Sequence, residues 1–128
     1  MARVLVIDDN EDLRELVQVI LVGAGYDVEL AEDGQSGVAA QRAKPADLIV
    51  TDIFMPVQDG IETIAQVRRE FPNVKILAVS GGGKTTHSRG YLTTASQIGA
   101  DDTLAKPFEH DQLLRAVADL LATTEPST

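Results

Sequence analysis

The chain has 128 residues, of which 44% are hydrophobic, so it is long enough for one domain of ordinary size with a filled core. Its 20 Asp and Glu residues outnumber its 11 Lys and Arg residues and give a formal net charge of −9; because binding to nucleic acids and anionic membranes depends on Lys and Arg, we expect neither as a partner. Cysteine is absent from the sequence, which excludes disulfides and thiol catalysis, and a cytoplasmic protein is the simplest expectation.

Short apolar runs alternate along the chain with stretches in which apolar residues recur every three or four positions. The first pattern is typical of strands and the second of amphipathic helices. Strands are predicted at residues 4–7, 28–31, 48–51, 75–79 and 103–105. Helices are predicted at residues 11–22, 34–43, 61–70, 91–98 and 113–121. We expect a single domain over residues 1–122, followed by a short tail at 123–128.

This alternation predicts a doubly wound α/β fold, in which a five-stranded parallel sheet carries helices on both faces. The first, third and fourth predicted strands are apolar throughout and should lie inside the sheet. The second alternates with polar residues and the fifth is short, as is typical of edge strands. Right-handed crossovers then give the strand order 2-1-3-4-5. In that order the carboxyl ends of the first and third strands flank the crevice where open α/β sheets bind ligands.

Polar residues follow four of the predicted strands at their carboxyl ends. Asp8 and Asp9 follow the first strand, Asp52 the third, Ser80 the fourth and Lys106 the fifth. Three carboxylates at one edge would repel one another by roughly 4 kcal/mol per pair at ~4 Å and an effective dielectric constant of ~20. A cation relieves that repulsion, and an all-oxygen site favours Mg²⁺ or Mn²⁺. A metal with a hydroxyl and a lysine beside it is an arrangement used for phosphoryl transfer.

Each of these residues also has an ordinary structural explanation. A single aspartate at a strand end is most often a helix cap or part of a solvated turn, and Asp8 and Asp9 could cap the helix that follows them. Ser80 precedes three glycines, which is common in loops, and Lys106 before Pro107 carries little information alone. The agreement of four strand ends on one edge favours a shared functional site over independent structural roles.

The same landmarks carry a resemblance to a known family. They are Asp8-Asp9, the run Asp52-Ile53-Phe54-Met55-Pro56, Asp59-Gly60, Ser80, and residues 99–108 with Lys106-Pro107 near their end. With these residues at family-like spacing over nearly the whole chain, the sequence resembles the receiver domain of two-component response regulators, of the stand-alone type. The resemblance implies the flavodoxin-like fold and a signalling switch, not an enzyme with a free substrate.

The resemblance also implies a role for each site residue. Asp52 would be the phosphoacceptor, whose carboxylate becomes an acyl phosphate. Asp8 and Asp9 would hold Mg²⁺ or Mn²⁺ together with Asp52 and the backbone carbonyl of Phe54. Lys106 would pair with a phosphoryl oxygen as a point charge. The implied phosphoryl transfer would therefore depend on a divalent cation.

Two features depart from the family pattern and bear on the switch. The first concerns an aromatic residue that the family usually has three positions before Lys106 and that turns inward on activation; here Thr103 stands at that position. In the same switch, the hydroxyl of Ser80 would hydrogen-bond a phosphoryl oxygen. The segment between Ser80 and Lys106 is longer than is common and holds several glycines, which widen its choice of backbone conformations. We hypothesise that Tyr91 or this longer segment takes the place of the missing aromatic side chain.

The partners implied by the resemblance are proteins. A histidine kinase or a histidine phosphotransfer domain would supply the phosphoryl group, and an unidentified downstream protein would read the phosphorylated state. Two alternatives stay open. One is a small Mg²⁺-dependent phosphatase or phosphotransferase that turns over a free substrate, and the other is a receiver-like docking module that acts without phosphorylation.

Overall fold

A computed structural model describes residues 2–53, 60–80, 99–105 and 108–122. Its strands are β1 (Arg3–Ile7), β2 (Asp27–Ala31), β3 (Leu48–Asp52), β4 (Lys75–Ser80) and β5 (Asp102–Ala105). They form one parallel sheet in the order β2-β1-β3-β4-β5. The predicted strand order is confirmed, and each predicted strand lies within an observed one.

Four helices of the described residues pack on this sheet: α1 (Glu11–Gly23), α2 (Gly34–Ala43), α3 (Gly60–Glu70) and α4 (His110–Ala122). A side-chain cap begins α1, where the Asn10 side chain accepts a hydrogen bond from the Leu13 N–H at 3.0 Å, and Asp33 caps α2 in the same way. The helix predicted at 91–98 and the tail predicted at 123–128 lie outside the described residues. Within the part of the chain that the structure describes, every helix is too short or too polar to cross a membrane.

Two apolar layers cover the sheet, one on each face, because successive side chains of a strand point to opposite faces. In β1, Leu5 and Ile7 lie in a cluster with residues of α2 and α3, whereas Val4 and Val6 lie in a cluster with residues of α1 and α4. The strands β1, β3 and β4 are largely buried, which agrees with their mainly apolar sequences. These three central strands therefore form a rigid support for the residues at their carboxyl ends.

Arg68, near the end of α3, bonds to the segments that precede β4 and β5. These contacts lie at the edge of the sheet where the strands begin, which we call the amino edge. The Arg68 guanidinium donates hydrogen bonds to the carbonyls of Pro72 and Val74 at 2.8 Å and to that of Gly99 at 2.7 Å. It also pairs with the Asp101 carboxylate at 2.8 Å. These contacts fix the starts of β4 and β5 relative to α3.

Further ion pairs lie near the same edge. Arg3 of β1 pairs with Asp27 of β2 at 3.1 Å and also with Glu29. Arg42 of α2 pairs with Glu70 of α3 at 2.6 Å, and hydrogen bonding from Arg42 lowers the pKa of the Glu70 carboxyl from 4.5 to about 2. The ion pairs of the amino edge thus join neighbouring strands and neighbouring helices.

Candidate metal and phosphoryl site

Three aspartates lie together at the opposite edge of the sheet, where the strands end, called the carboxyl edge below. Asp8 and Asp9 follow β1, and Asp52 is the last residue of the neighbouring strand β3. One carboxylate oxygen from each of the three lies within 4.8 Å of those from the other two. Asp8 and Asp52 are only 5% and 6% exposed, whereas Asp9 is exposed. The cluster therefore has a buried floor and one side that is open to solvent.

Backbone and side-chain contacts fix the position of Asp8. Its N–H donates to the Ala31 carbonyl at 3.1 Å, which extends the pairing of β1 with β2 by one residue. One of its carboxylate oxygens accepts a hydrogen bond from the Asn10 N–H at 2.9 Å, and its carbonyl accepts one from the Arg14 guanidinium at 2.8 Å. Because each carboxylate oxygen has two lone pairs, the bond to Asn10 orients the group and still leaves it able to bind a cation.

Asp52 is held by the strand that carries it and by the start of α3. The pairing of β3 with β4 reaches Asp52, opposite Val79, and the Ile53 N–H continues it by donating to the Val79 carbonyl at 2.9 Å. The Asp52 carbonyl accepts a hydrogen bond from the Thr51 hydroxyl at 3.1 Å. The Ile53 carbonyl accepts one from the Gly60 N–H at 2.7 Å. The backbone that bears the Asp52 carboxylate is thus bonded on both sides.

The donor groups of this cluster fit a hard divalent cation. Carboxylate oxygens are the ligands that Mg²⁺ and Mn²⁺ prefer, and Asp8, Asp9 and Asp52 each offer one. Three negative charges this close repel one another, and solvent screens that repulsion less where the groups are buried. A bound cation would remove the repulsion, so these three residues could hold one metal ion.

The other predicted site residues are described only in part. Ser80 is the last residue of β4, where it pairs with the end of β5, so its backbone lies at the carboxyl edge. Thr103 is half-buried in β5. Phe54, Lys106 and the segment that contains Tyr91 lie outside the described residues. The roles assigned to these five residues stay predictions.

Three residues that contact the cluster were not predicted as part of the site. Thr51 could have been predicted from the sequence, because it is a polar residue inside an apolar strand and directly precedes Asp52. Arg14 carries no comparable signal, because a basic residue on an amphipathic helix is usually a solvated one. Gly60 was named only as a landmark of the family resemblance, since its contact with the Ile53 peptide depends on how α3 packs.

Residues 4–118 match the family model of the response regulator receiver domain. The chain belongs to this family. The receiver domain is similar to response regulator MprA of Mycolicibacterium vanbaalenii, with 35% identity over 124 residues that cover 97% of this chain and 52% of that protein. It is 32% identical over 115 residues to transcriptional regulatory protein DltR of Streptococcus agalactiae, covering 90% of this chain and 50% of that protein. A solved CheY-like response regulator receiver domain protein from Methanospirillum hungatei matches it with a TM-score of 0.88 at 26% identity, covering 100% of this chain and 99% of that one.

These similarities confirm the resemblance found in the sequence and, with the strand order, the flavodoxin-like fold. The receiver domain belongs to two-component signalling, and its relatives are response regulators. It spans about half the length of the curated relatives it matches.

The expectation that nucleic acid is not a partner is wrong. It is overturned by the response regulators that the receiver domain matches over only half their length, one of which is named a transcriptional regulatory protein. The charge argument failed because a net charge of −9 restricts only what the surface of this domain itself binds. It does not restrict the function of a protein in which such a domain is one part.

Proposed function

We propose that this receiver domain accepts a phosphoryl group on Asp52, from a histidine kinase or a histidine phosphotransfer domain, in a reaction that requires Mg²⁺ or Mn²⁺. The observation that carries the proposal is the cluster of Asp8, Asp9 and Asp52 within 4.8 Å. The family match over residues 4–118 supports it. The exposure of Asp9 leaves the cluster open to a donor from one side.

The proposed reaction moves a phosphoryl group from nitrogen to oxygen. A carboxylate oxygen of Asp52 attacks the phosphorus of a phosphohistidine, so that a P–O bond forms while the P–N bond breaks. The electron pair of the broken bond stays on the imidazole nitrogen, and Asp52 becomes an acyl phosphate. Asp8, Asp9 and Asp52, with the Phe54 carbonyl, would hold the cation that neutralises charge on the phosphoryl oxygens.

Lys106 and Ser80 complete the proposed site. Ser80 ends β4 at the same edge as Asp52, and Lys106 is the next residue in the sequence after Ala105, where β5 ends. We expect the ammonium of Lys106 to pair with one phosphoryl oxygen and the Ser80 hydroxyl to donate to another. Phosphorylation adds a charge of about −1.5 to −2, which would draw both side chains inward and shift an equilibrium between two conformations. Thr103 would lie in the part of β5 that senses this shift.

The experiment is incubation of the purified protein with phosphoramidate, a small phosphodonor, with and without Mg²⁺. We expect the wild type to take up one phosphoryl group only when the metal is present, and Asp52→Asn to take up none. Asp12→Asn makes the same replacement of a carboxylate by an amide, in the first turn of α1 and outside the cluster. It is the matched control and should behave like the wild type. Metal-dependent uptake by Asp52→Asn equal to that of the wild type would refute the proposal.

The same experiment separates the two alternatives. A small phosphatase or phosphotransferase would turn over many phosphodonor molecules per chain without retaining a phosphoryl group. A docking module that acts without phosphorylation would leave the phosphodonor intact and the chain unmodified, even with Mg²⁺ bound.

A further inference from the structure

Gly60, the first residue of α3, packs against the backbone of Asp52 and Ile53 more closely than any side chain would allow. A Cβ atom on Gly60 would lie 2.3 Å from the Asp52 carbonyl oxygen and 2.4 Å from the Ile53 Cα. Both are backbone atoms, so neither can rotate out of the way. An alanine at this position would therefore require the Asp52–Ile53 peptide or the start of α3 to move.

The requirement for glycine here comes from space and not from backbone conformation. Among the described residues the glycines with positive φ are Gly25 and Gly99, so the φ angle of Gly60 is one that other residues adopt. Its N–H donates to the Ile53 carbonyl at 2.7 Å, which places the start of α3 directly on the peptide that follows Asp52. The missing side chain is what permits this contact.

We infer that Gly60 is a positioning residue for the chemistry of Asp52, an inference that rests on the proposed function. The Asp52–Ile53 peptide begins at the Cα that carries the Asp52 side chain, so a displaced peptide redirects the carboxylate. A redirected carboxylate would no longer share a cation with Asp8 and Asp9. Because a misplacement of about 1 Å can lower a rate about 100-fold, crowding at Gly60 should lower both the metal affinity and the phosphorylation rate.

Thr51 holds the same peptide from the strand side. It is fully buried, and its hydroxyl donates to the Asp52 carbonyl oxygen at 3.1 Å, the atom that lies closest to the missing Cβ of Gly60. Thr51→Val keeps the shape of the side chain and removes this hydrogen bond, so it loosens the peptide without crowding it. We expect it to slow phosphorylation by about threefold, the effect of one ordinary hydrogen bond.

The experiment compares Gly60→Ala with two other glycine variants. Gly37→Ala also crowds a neighbour, with its Cβ 2.3 Å from the Ile7 Cδ1 and 2.8 Å from the Ile7 Cγ1, but these are side-chain atoms and not backbone atoms. Gly23→Ala meets nothing within 4 Å. For each variant, Mg²⁺ affinity is measured by calorimetry, and the phosphorylation rate is measured with phosphoramidate at saturating Mg²⁺. We expect Gly60→Ala to bind Mg²⁺ at least about tenfold more weakly and to react about 100-fold more slowly, while both controls keep wild-type values.

Circular dichroism and urea unfolding establish which variants are folded. If Gly60→Ala does not fold alone, the double variant Gly23→Ala/Gly60→Ala is measured in a stabilising osmolyte, since alanine favours helix α1.

A folded variant with wild-type metal affinity and rate would overturn the inference. So would the failure of every Gly60→Ala form to fold, because glycine would then serve folding alone. A wild type that binds Mg²⁺ but takes up no phosphoryl group would refute the proposed function instead, and the comparison of metal affinities would still decide the role of Gly60.

Discussion

The two edges of the sheet use their charged residues in opposite ways. At the amino edge, acidic side chains are matched with arginines. The pairs described there are Arg3–Asp27, Arg3–Glu29, Arg42–Glu70 and Arg68–Asp101. At the carboxyl edge, one carboxylate oxygen from each of Asp8, Asp9 and Asp52 lies within 4.8 Å of those from the other two. Asp8 and Asp52 are buried.

This difference separates the part of the molecule that stabilises the fold from the part that we propose to bind a cation. Opposite charges at the amino edge attract and fix the segments that bear them, whereas like charges at the carboxyl edge repel until a cation joins them. We therefore expect changes at the amino edge to alter stability and leave metal binding intact. Removing one of the three carboxylate charges at the carboxyl edge should alter metal binding and leave the metal-free protein as stable as before, or more so.

The largest effect on stability is expected from Arg68→Ala at the amino edge. The change leaves the Gly99 and Val74 carbonyls and the Asp101 carboxylate without the guanidinium that they now share. We expect the free energy of unfolding to fall by about 2–4 kcal/mol in urea titrations. Mg²⁺ affinity measured at low urea should stay at the wild-type value.

Arg69→Ala is the matched control for this prediction. Arg69 is the next residue of the same helix and is exposed, so its removal should change the free energy of unfolding by less than about 0.5 kcal/mol. Equal losses in the two variants would show that the Arg68 contacts do not stabilise the amino edge.

The second effect in size is the response of the wild type to Mg²⁺ itself. A cation that binds only the folded protein stabilises it by about 2.7 kcal/mol at a free concentration 100 times its Kd. We expect thermal unfolding to shift upward with Mg²⁺ and to shift much less in Asp52→Asn. NaCl at matched ionic strength is the control, because screening alone also relieves repulsion among the three carboxylates. Equal shifts with NaCl and Mg²⁺ would argue against a metal site.

A smaller effect is expected from Asp9→Asn, which removes the exposed member of the cluster. Mg²⁺ should bind about tenfold more weakly, a loss of about 1.4 kcal/mol. The metal-free variant should be more stable than the metal-free wild type, by no more than about 1 kcal/mol because Asp9 is screened by solvent. Calorimetry and urea unfolding measure the two quantities, and Asp12→Asn serves as the control. A variant that loses stability without metal would contradict the comparison between the edges.

The smallest effect is expected from Glu70→Gln, and it depends on pH. Hydrogen bonding from Arg42 lowers the pKa of Glu70 from 4.5 to about 2, so the folded protein favours the ionised carboxyl. The stability gained is complete above the ordinary pKa of 4.5 and is lost as the pH falls towards 2. The difference in unfolding temperature between wild type and variant should therefore be small at neutral pH, since both side chains are partly exposed, and should shrink further under acid. A difference that does not change with pH would show that the pair contributes nothing as a pair.

The sheet and the acidic cluster could be predicted because both follow from local sequence. Mainly apolar runs identified the central strands, and the order of strands placed the residues at the ends of β1 and β3 at one edge. Asp52 was predicted to follow its strand and instead ends it, a shift of one residue that leaves its position at the edge unchanged. The convergence of Asp8, Asp9 and Asp52 needed no further information than this topology.

The contacts that could not be predicted join segments far apart in the chain. Arg68 meets Gly99 and Asp101 only because α3 ends beside the start of β5, and nothing near Arg68 in the sequence indicates those partners. The crowding of Gly60 against Asp52 likewise depends on the angle at which α3 leaves the sheet. Propensity and periodicity describe one element at a time, whereas these features are set by how elements pack.

The most direct test of the central claim is to locate the phosphoryl group chemically. After reaction with phosphoramidate and Mg²⁺, borohydride reduces an acyl phosphate of aspartate to homoserine, and mass spectrometry of peptides then identifies the residue. The account predicts homoserine at position 52 alone, and only when Mg²⁺ was present during the reaction. Homoserine at Asp8, at Asp9 or at an acid of the amino edge would contradict it.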